Sequence, residues 1–441
     1  MADASTTANE DSFFTDFISK HRPDLKPYEE LYKHLHQHPE LSTQEKETAA
    51  TIASHLGKLS SSHDNALDIR TDIGGHGLIA ILSNGPGSTI LLRADFDALP
   101  VQEKTGLPYA STATQVDKRD GLTKPVMHAC GHDFHVTSLL ACAETLLTSR
   151  ARWSGKVIFL FQPAEERGSG AQAMVDDGLY TPSKHNCPVP DVVLGQHVFP
   201  MRAGHVGTKH GVAMTAADSL KITVHGRGGH GSMPHRTIDP VVIAASIVVK
   251  LQTVVSRTAP PSELTVLTVG SLRAGEAENV IPALAEIKCN IRTTSDGNRR
   301  RVRAAVERVV KGECVAGGCE QDPEFEYLNG FPLTLNDADT VEKLSSGMQA
   351  HFGERYDRDM AFALGSEDFG ILGSSVDRPY CFWFFGGHEG EEWDRLEEEG
   401  RLEEKVPTNH SPFFAPVLQP TLTTGVDAMV VAAMSYLRKK E

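Results

Sequence analysis

The sequence predicts an α/β protein: a larger mixed-sheet α/β domain into which a smaller, ferredoxin-like α+β domain is inserted. Three observations carry this. Val-Ile-Phe-Leu-Phe at 157–161 and Val-Val-Leu at 192–194 are unbroken apolar runs, as in strands buried on both faces of a sheet. Polar and acidic residues collect directly after such runs, where ligands of open α/β sheets bind. From about Met214 the pattern changes to shorter, alternating strands and two helices in the order β-α-β-β-α-β, and the α/β pattern resumes near Pro332. The expected division is 1–213 and 329–441 for the larger domain and 214–328 for the insert.

Residues 1–11 are small, polar and acidic, and no fixed structure is expected of them. Helices are expected at 13–17, at 28–38, where Pro39 stops the second, and at 43–59. Apolar runs at 78–82 and 90–92 read as strands, with Asn-Gly-Pro-Gly at 84–87 as a turn. An apolar helical run at 136–147 precedes the two buried strands. In the insert, 220–225, 264–269, 285–291 and 324–328 read as strands, and 239–257 and 299–314 as helices. Past it come a strand at 381–385, a stretch at 389–405 with nine acids against three bases, and a closing helix at 429–437. The acidic stretch reads as a solvated helix or loop.

A chain of 441 residues with 40% hydrophobic and 23% charged residues has room for two or three domains with sizeable cores. Its net charge of −15 argues against nucleic acid or an anionic membrane as partner. No apolar run approaches a membrane span, and the first ten residues lack the pattern of a secretory signal. Seven scattered cysteines, an odd number in a large chain, suggest thiols in a reducing cytoplasm. Cys314 and Cys319 read as ordinary thiols.

The densest chemistry lies in Met-His-Ala-Cys-Gly-His-Asp-Phe-His at 127–135. Cys130, His132, Asp133 and His135 fall within six residues at a loop-to-helix junction. Thiolate, imidazole and carboxylate hold divalent transition metals, and the start of a helix favours a thiolate. A buried cysteine among helix-capping residues fits the same stretch. Asp95 and Asp97 lie two apart in an extended chain, so both can reach a site from one side; capping carboxylates would look the same. Glu165 and Glu166 follow the strand at 157–161. Their side chains diverge, so one can bind a cation while the other handles a proton, or both can be solvated. His34, His36 and His38 point to different helix faces and read as structural.

Several motifs occur together and in order. They are Leu-Arg-Ala-Asp-Phe-Asp-Ala-Leu-Pro at 92–100, Gln-Glu-Lys-Thr-Gly-Leu-Pro-Tyr at 102–109 and Met-His-Ala-Cys-Gly-His-Asp at 127–133. Pro-Ala-Glu-Glu at 163–166, Gly-Gly-His-Gly-Ser-Met-Pro-His at 228–235 and Asn-Val-Ile-Pro at 279–282 continue them. In this the chain resembles the metal-dependent amidohydrolases that include aminoacylases, hippurate hydrolases and plant indole-acetyl-amino-acid hydrolases, from about Leu31 to Pro416.

The resemblance implies a two-metal centre in the larger domain. Cys130 would bridge, with His132, Glu166, His197 and His410 as the other ligands. Such mixed S, N and O donors suit Zn, Mn, Co or Ni. It implies Glu165 as general base and His230 as the donor to the oxyanion, supplied by the partner subunit of a homodimer or higher homo-oligomer. Asn279 and Arg292 would bind the carboxylate of the amino-acid half, although a strand-surface arginine is an equal reading of Arg292. Asp97 and His135 would orient ligands. The implied reaction is hydrolysis of the amide bond of an N-acyl amino acid, giving a carboxylic acid and an amine. A dipeptidase or carboxypeptidase would use the same centre, and a catalytically silent binding protein would share the fold. The presence of both glutamates speaks against the last. Phe134 stands where the family mostly has glycine and could narrow the acyl pocket. The acidic stretch and the loop at 181–190 look longer than usual, and are expected to hang in solvent.

Overall fold

The computed structural model describes residues 4–439. They divide into two compact units: Met214–Thr334 with Phe362–Glu367 form the smaller, and the remainder the larger. The larger unit opens with helices α1 (Ala4–His21), α2 (Lys26–Gln37) and α3 (Lys46–Ser61). Helix α1 therefore covers most of the stretch expected to lack structure; residues 1–3 lie outside the described residues. Strands β1 (Leu67–Ile73), β2 (Gly77–Asn84) and β3 (Thr89–Asp95) follow, then α4 (His132–Thr148), β4 (Gly155–Gln162), β5 (Val192–Arg202) and β6 (Val206–Gly207). The smaller unit supplies β7 (Ala216–His225), α5 (Pro240–Arg257), β8 (Thr265–Ala274), β9 (Leu284–Thr293), α6 (Asp296–Ala316) and β10 (Glu324–Phe331). The larger unit resumes with α7 (Ala338–Phe352), β11 (Tyr356–Asp357), β12 (Tyr380–His388) and α8 (Leu418–Leu437).

The larger unit is built on an eight-stranded sheet in the order β1-β2-β4-β3-β5-β12-β6-β11. Its middle strands β4, β3, β5 and β12 are parallel, and antiparallel pairings join β1, β2 and β6 to them. Strands β2 and β3, joined by the Asn-Gly-Pro-Gly turn, are not neighbours, because β4 lies between them. The apolar run of β4 is fully buried from Val157 to Phe161. A strand with no wet face has nothing to gain from alternation. Helix α4 is buried all round apart from Glu144 between His132 and Leu147, and packs on α8, α2 and β3. Its start is therefore held from several sides. The register sets Asp95 beside Gln162 and Arg93 beside Gly195. The chain that follows β3 and β4, and the middle of β5, thus share one edge of the sheet.

The smaller unit is a four-stranded sheet in the order β8-β9-β7-β10, antiparallel throughout. Leu220, Ile222 and Val224 of β7 alternate into a core with Ile243, Ile247 and Leu251 of α5 and Val302, Val306 and Val310 of α6. Asp239 caps α5 by accepting the Val241 N–H at 2.9 Å, and Pro240 occupies the first turn, where no N–H is missed. By length and composition α5 is apolar enough to cross a membrane, contrary to expectation. It is an amphipathic core helix with valines on its other face as well. The architecture is the expected one, a mixed-sheet α/β unit interrupted by a ferredoxin-like layer. The acidic stretch forms two short helices, Gly390–Glu398 and Leu402–Lys405, buried only at Leu396.

Candidate metal centre

The start of α4 lies against β5 because residue 131 has no side chain. Gly131 sits at φ 80, ψ 22, and a Cβ there would meet Val198 Cγ1 at 2.3 Å. Beside that contact Cys130 Sγ is 3.4 Å from His197 Nε2. His132 Nδ1 donates to the Asp97 carbonyl at 2.8 Å and lies 3.2 Å from Asp97 Oδ1. Its Nε2 is left facing Glu166 Oε1 at 3.8 Å and Glu165 Oε2 at 4.0 Å. His410 Nε2 lies 3.2 Å from Glu166 Oε2. The donor atoms of Cys130, His132 and Glu166 all fall within 4.8 Å of one another. His197 Nδ1 donates to the Val198 carbonyl at 2.7 Å, which leaves the lone pair on the Nε2 that faces the thiol.

His132 Nε2 and Glu166 Oε1 are buried polar atoms with no hydrogen-bond partner. Each such atom costs about 1–3 kcal/mol if left so. At 3.8 Å they are too far apart to bond each other. They are well placed to share a cation, which takes nitrogen and oxygen at about 2.0–2.2 Å. The electrostatics agree. Burial opposes charge on His132, yet Asp95, Asp97 and Glu166 raise it to about 10, so this place draws positive charge. Burial pushes the Cys130 thiol well above its ordinary value, and Glu166, Glu165 and Asp95 add to that. Here burial outweighs the helix start that was expected to favour a thiolate; a coordinated cation would deprotonate the thiol. Burial and the neighbouring His135 keep His197 neutral, the form that ligates.

A further layer aims these groups. Asp97 Oδ2 accepts from Ser42 Oγ at 2.7 Å and from the Glu166 N–H at 3.1 Å, so one carboxylate steadies both His132 and Glu166. His135 accepts the Val198 N–H at 2.9 Å on Nε2 and bonds Asp95 through Nδ1. Both its ring nitrogens are used, and it braces β5 beside His197. Behind Asp95 lies a group that sequence reasoning missed. Fully buried Arg93 bonds Asp95 at 2.6 Å and Gln162 at 2.9 Å, and Asp368 accepts from Gln162 and from the Ala171 N–H. The available signal was an arginine inside an otherwise apolar strand. Glu45 was missed too. It is 0% exposed, and its Oε1 accepts the N–H groups of Thr43 at 2.7 Å and Ala164 at 2.9 Å. Ala164, left-handed at φ 51, directly precedes the two glutamates. Ser-Thr-Gln-Glu at 42–45 has capping-box spacing, which marks a helix start and hides a carboxylate that reaches across the fold. Asn409 is the third. Its Nδ2 donates to the carbonyls of Cys130 and Val198, both at 3.3 Å, while the His410 N–H donates to the Ala129 carbonyl at 2.7 Å.

Two other readings are settled by packing. His36 is buried between Asp133 at 2.7 Å and Glu103 at 3.2 Å, a structural role that ties the segment 102–109 to α4. Phe134 does not narrow a pocket. It is fully buried with its ring centroid 4.1 Å from that of Tyr32, inside the main core.

In the smaller unit, Gly229–His230 pairs with Val280–Ile281, His230 opposite Val280, so this short two-stranded ladder brings His230 close to Asn279. His230 is exposed. Its Nδ1 accepts from the Ser232 N–H at 3.1 Å and lies 2.8 Å from Ser232 Oγ, which puts the ring proton on Nε2. Arg292 of β9 donates to the Leu364 carbonyl at 2.7 Å and lies 3.2 Å from Ser366 Oγ, so part of its fork is already engaged.

The chain is similar to known proteins over most of its length. Residues 91–403 match the peptidase family M20/M25/M40. The chain is 36% identical over 365 residues to the N-acetyl-L-cysteine deacetylase of Bacillus subtilis, covering 82% of this chain and 81% of that protein. It is 35% identical over 358 residues to the hippurate hydrolase of Campylobacter jejuni, covering 80% and 87%. A Bacillus subtilis crystal structure described as a dinuclear metal-binding peptidase of the M20 family superposes with a TM-score of 0.69 at 27% identity, over 96% of this chain and 98% of that one. The match extends over most of the chain, and on that ground the protein belongs to the M20/M25/M40 peptidase family.

Proposed function

We propose that the protein hydrolyses the amide bond of an N-acyl amino acid, releasing a carboxylic acid and an amine, with two divalent ions held by Cys130, His132, Glu166, His197 and His410. The observation that supports this most is the pair of buried, partnerless atoms His132 Nε2 and Glu166 Oε1, 3.8 Å apart, with further donors around them. The substrate class rests on the deacetylase and hippurate hydrolase relatives. When bound, the ions polarise the amide carbonyl and make water more acidic. Glu165 takes the proton of the attacking water on a carboxylate oxygen and hands it to the departing amine nitrogen. His230, supplied by a partner subunit, offers its Nε2–H to the carbonyl oxygen as that atom gains charge. Asn279 and the unengaged N–H groups of Arg292 bind the substrate carboxylate.

In this reading residues 214–328 serve as a lid and dimerisation domain. A homodimer is supported by apolar side chains left in solvent: Val242 at 65% and Val249 at 70% exposure on α5, and Leu272 at 45% on the edge strand β8. A cytoplasmic setting is supported by seven cysteines, all free.

The test is amine release from a substrate panel by metal-reconstituted protein. Cleavage of N-acetyl or N-benzoyl amino acids, with dipeptides left intact, is the expected result. Cleavage of dipeptides alone would make the protein a peptidase, the reading that the M20 peptidase structure favours. No release from any member would leave a silent binding protein.

A further inference from the structure

Helix α6 ends in a cap whose two outer positions are both cysteines. Gly318 turns left-handed at φ +76. Its N–H bonds the Val315 carbonyl at 3.1 Å, and the Cys319 N–H bonds the Cys314 carbonyl at 2.9 Å. These are the two hydrogen bonds of a Schellman motif, whose usual companion is a side-chain contact between its first and last residues. Here those residues are Cys314 and Cys319, so the two side chains leave the same closed turn. Cys314 is 2% exposed in the core of the smaller unit. Cys319 packs against that core but stays partly open to solvent. A disulfide needs Cα atoms about 4.4–6.8 Å apart, the reach of a turn closed by such a bond. The helix cap, and not a chance approach of loops, sets the two residues together.

We propose that Cys314 and Cys319 form a reversible dithiol–disulfide site, oxidised by a low-molecular-weight disulfide of the glutathione class. Cys319, the accessible thiol, loses its proton and attacks one sulfur of the oxidant. One small thiolate leaves, and a mixed disulfide stands on Cys319. Cys314 then loses its proton and attacks Cys319 Sγ, expelling the second small thiolate. The protein gives up two electrons and two protons, and the oxidant becomes two thiols. Burial raises the Cys314 thiol above its ordinary value, which disfavours the thiolate that the closing step needs. That suits a site that answers sustained oxidation and is reset by a reducing cytoplasm.

The test uses the full-length protein treated with glutathione disulfide, then alkylated, digested with trypsin and mapped by mass. In the wild type the peptide 312–343 is expected to lose two hydrogens and accept no alkyl group, and a dithiol reductant should restore both sites. Exchange of the Cys319 amide should slow about tenfold in the oxidised protein. Cys314→Ser should stop at one glutathione on Cys319, and Cys319→Ser should leave Cys314 unmodified. Alkylation of both cysteines after treatment, a glutathione adduct persisting on wild-type Cys319, or a bridge to Cys289 would each overturn the proposal. The wild-type map decides it even if a variant folds poorly.

Discussion

The two regions assigned to the chemistry are built in opposite ways. In the larger unit four of the five proposed metal ligands are anchored by neighbours: His132 and Glu166 by Asp97, His197 by the Val198 carbonyl, and His410, whose ring is exposed, through its own backbone on Ala129. In the smaller unit His230 is exposed and its ring is held by one neighbour, Ser232. The contrast teaches what each task demands. Ligands must converge on a small volume before a cation stays, and loose ones lose affinity steeply. A hydrogen-bond donor to a transient charge needs only the right proton on the right nitrogen.

Four substitutions sharpen or break this contrast. Glu165→Gln should have the largest effect, about a 10²–10⁴-fold fall in turnover with metal content unchanged by elemental analysis. Metal loss in that variant would mean that the two glutamates have exchanged roles. His230→Ala should lower kcat by about 10²–10³-fold and leave the melting temperature in place. Mixing it with Glu165→Gln should recover some activity if the histidine acts across a dimer, and no recovery would count against that arrangement. Asp97→Ala replaces no proposed ligand, yet metal affinity should fall about 10–100-fold in a chelator competition. Unchanged affinity would show that the ligands need no such support.

The smallest effect is expected in stability. Burial opposes charge on His36, but hydrogen bonds to Asp133 and Glu103 raise it to about 9, above the ordinary value of about 6.5. A group raised in this way stabilises the fold fully below about pH 6.5 and loses that contribution as pH climbs through about 9. The gap in melting temperature between the wild type and His36→Gln should therefore be widest near pH 6 and shrink toward alkaline pH. A gap that ignores pH would mean His36 is held uncharged.

Much of this was legible along the chain, for reasons that also explain the rest. The run at 157–161 betrays a doubly buried strand because no wet face interrupts it, and β7 betrays a half-wet one because it alternates. Strand β1, Leu-Asp-Ile-Arg-Thr-Asp-Ile, escaped notice because it is an edge strand with solvent along most of it. The turn at 84–87 was readable, but which strands it leaves adjacent was not, since β4 arrives from further along the chain. The same limit hid the supports of the site. Arg93 meets Asp368, Glu45 meets Ala164 and Asn409 meets Cys130 only after folding. The direction of Phe134 was unreadable because α4 is buried on every face and periodicity then carries no information.

One bond has a consequence for biosynthesis. The strut from Asn409 to the Cys130 carbonyl spans 279 positions of sequence, and His410 comes with it. While a ribosome is still making the insert, the nascent chain already holds Cys130, His132, both glutamates and His197, but nothing to close the cage. On the proposed ligand set, metal capture would be a late event in the life of each molecule. A product truncated before Asn409 would keep an open, thiol-bearing half-cage.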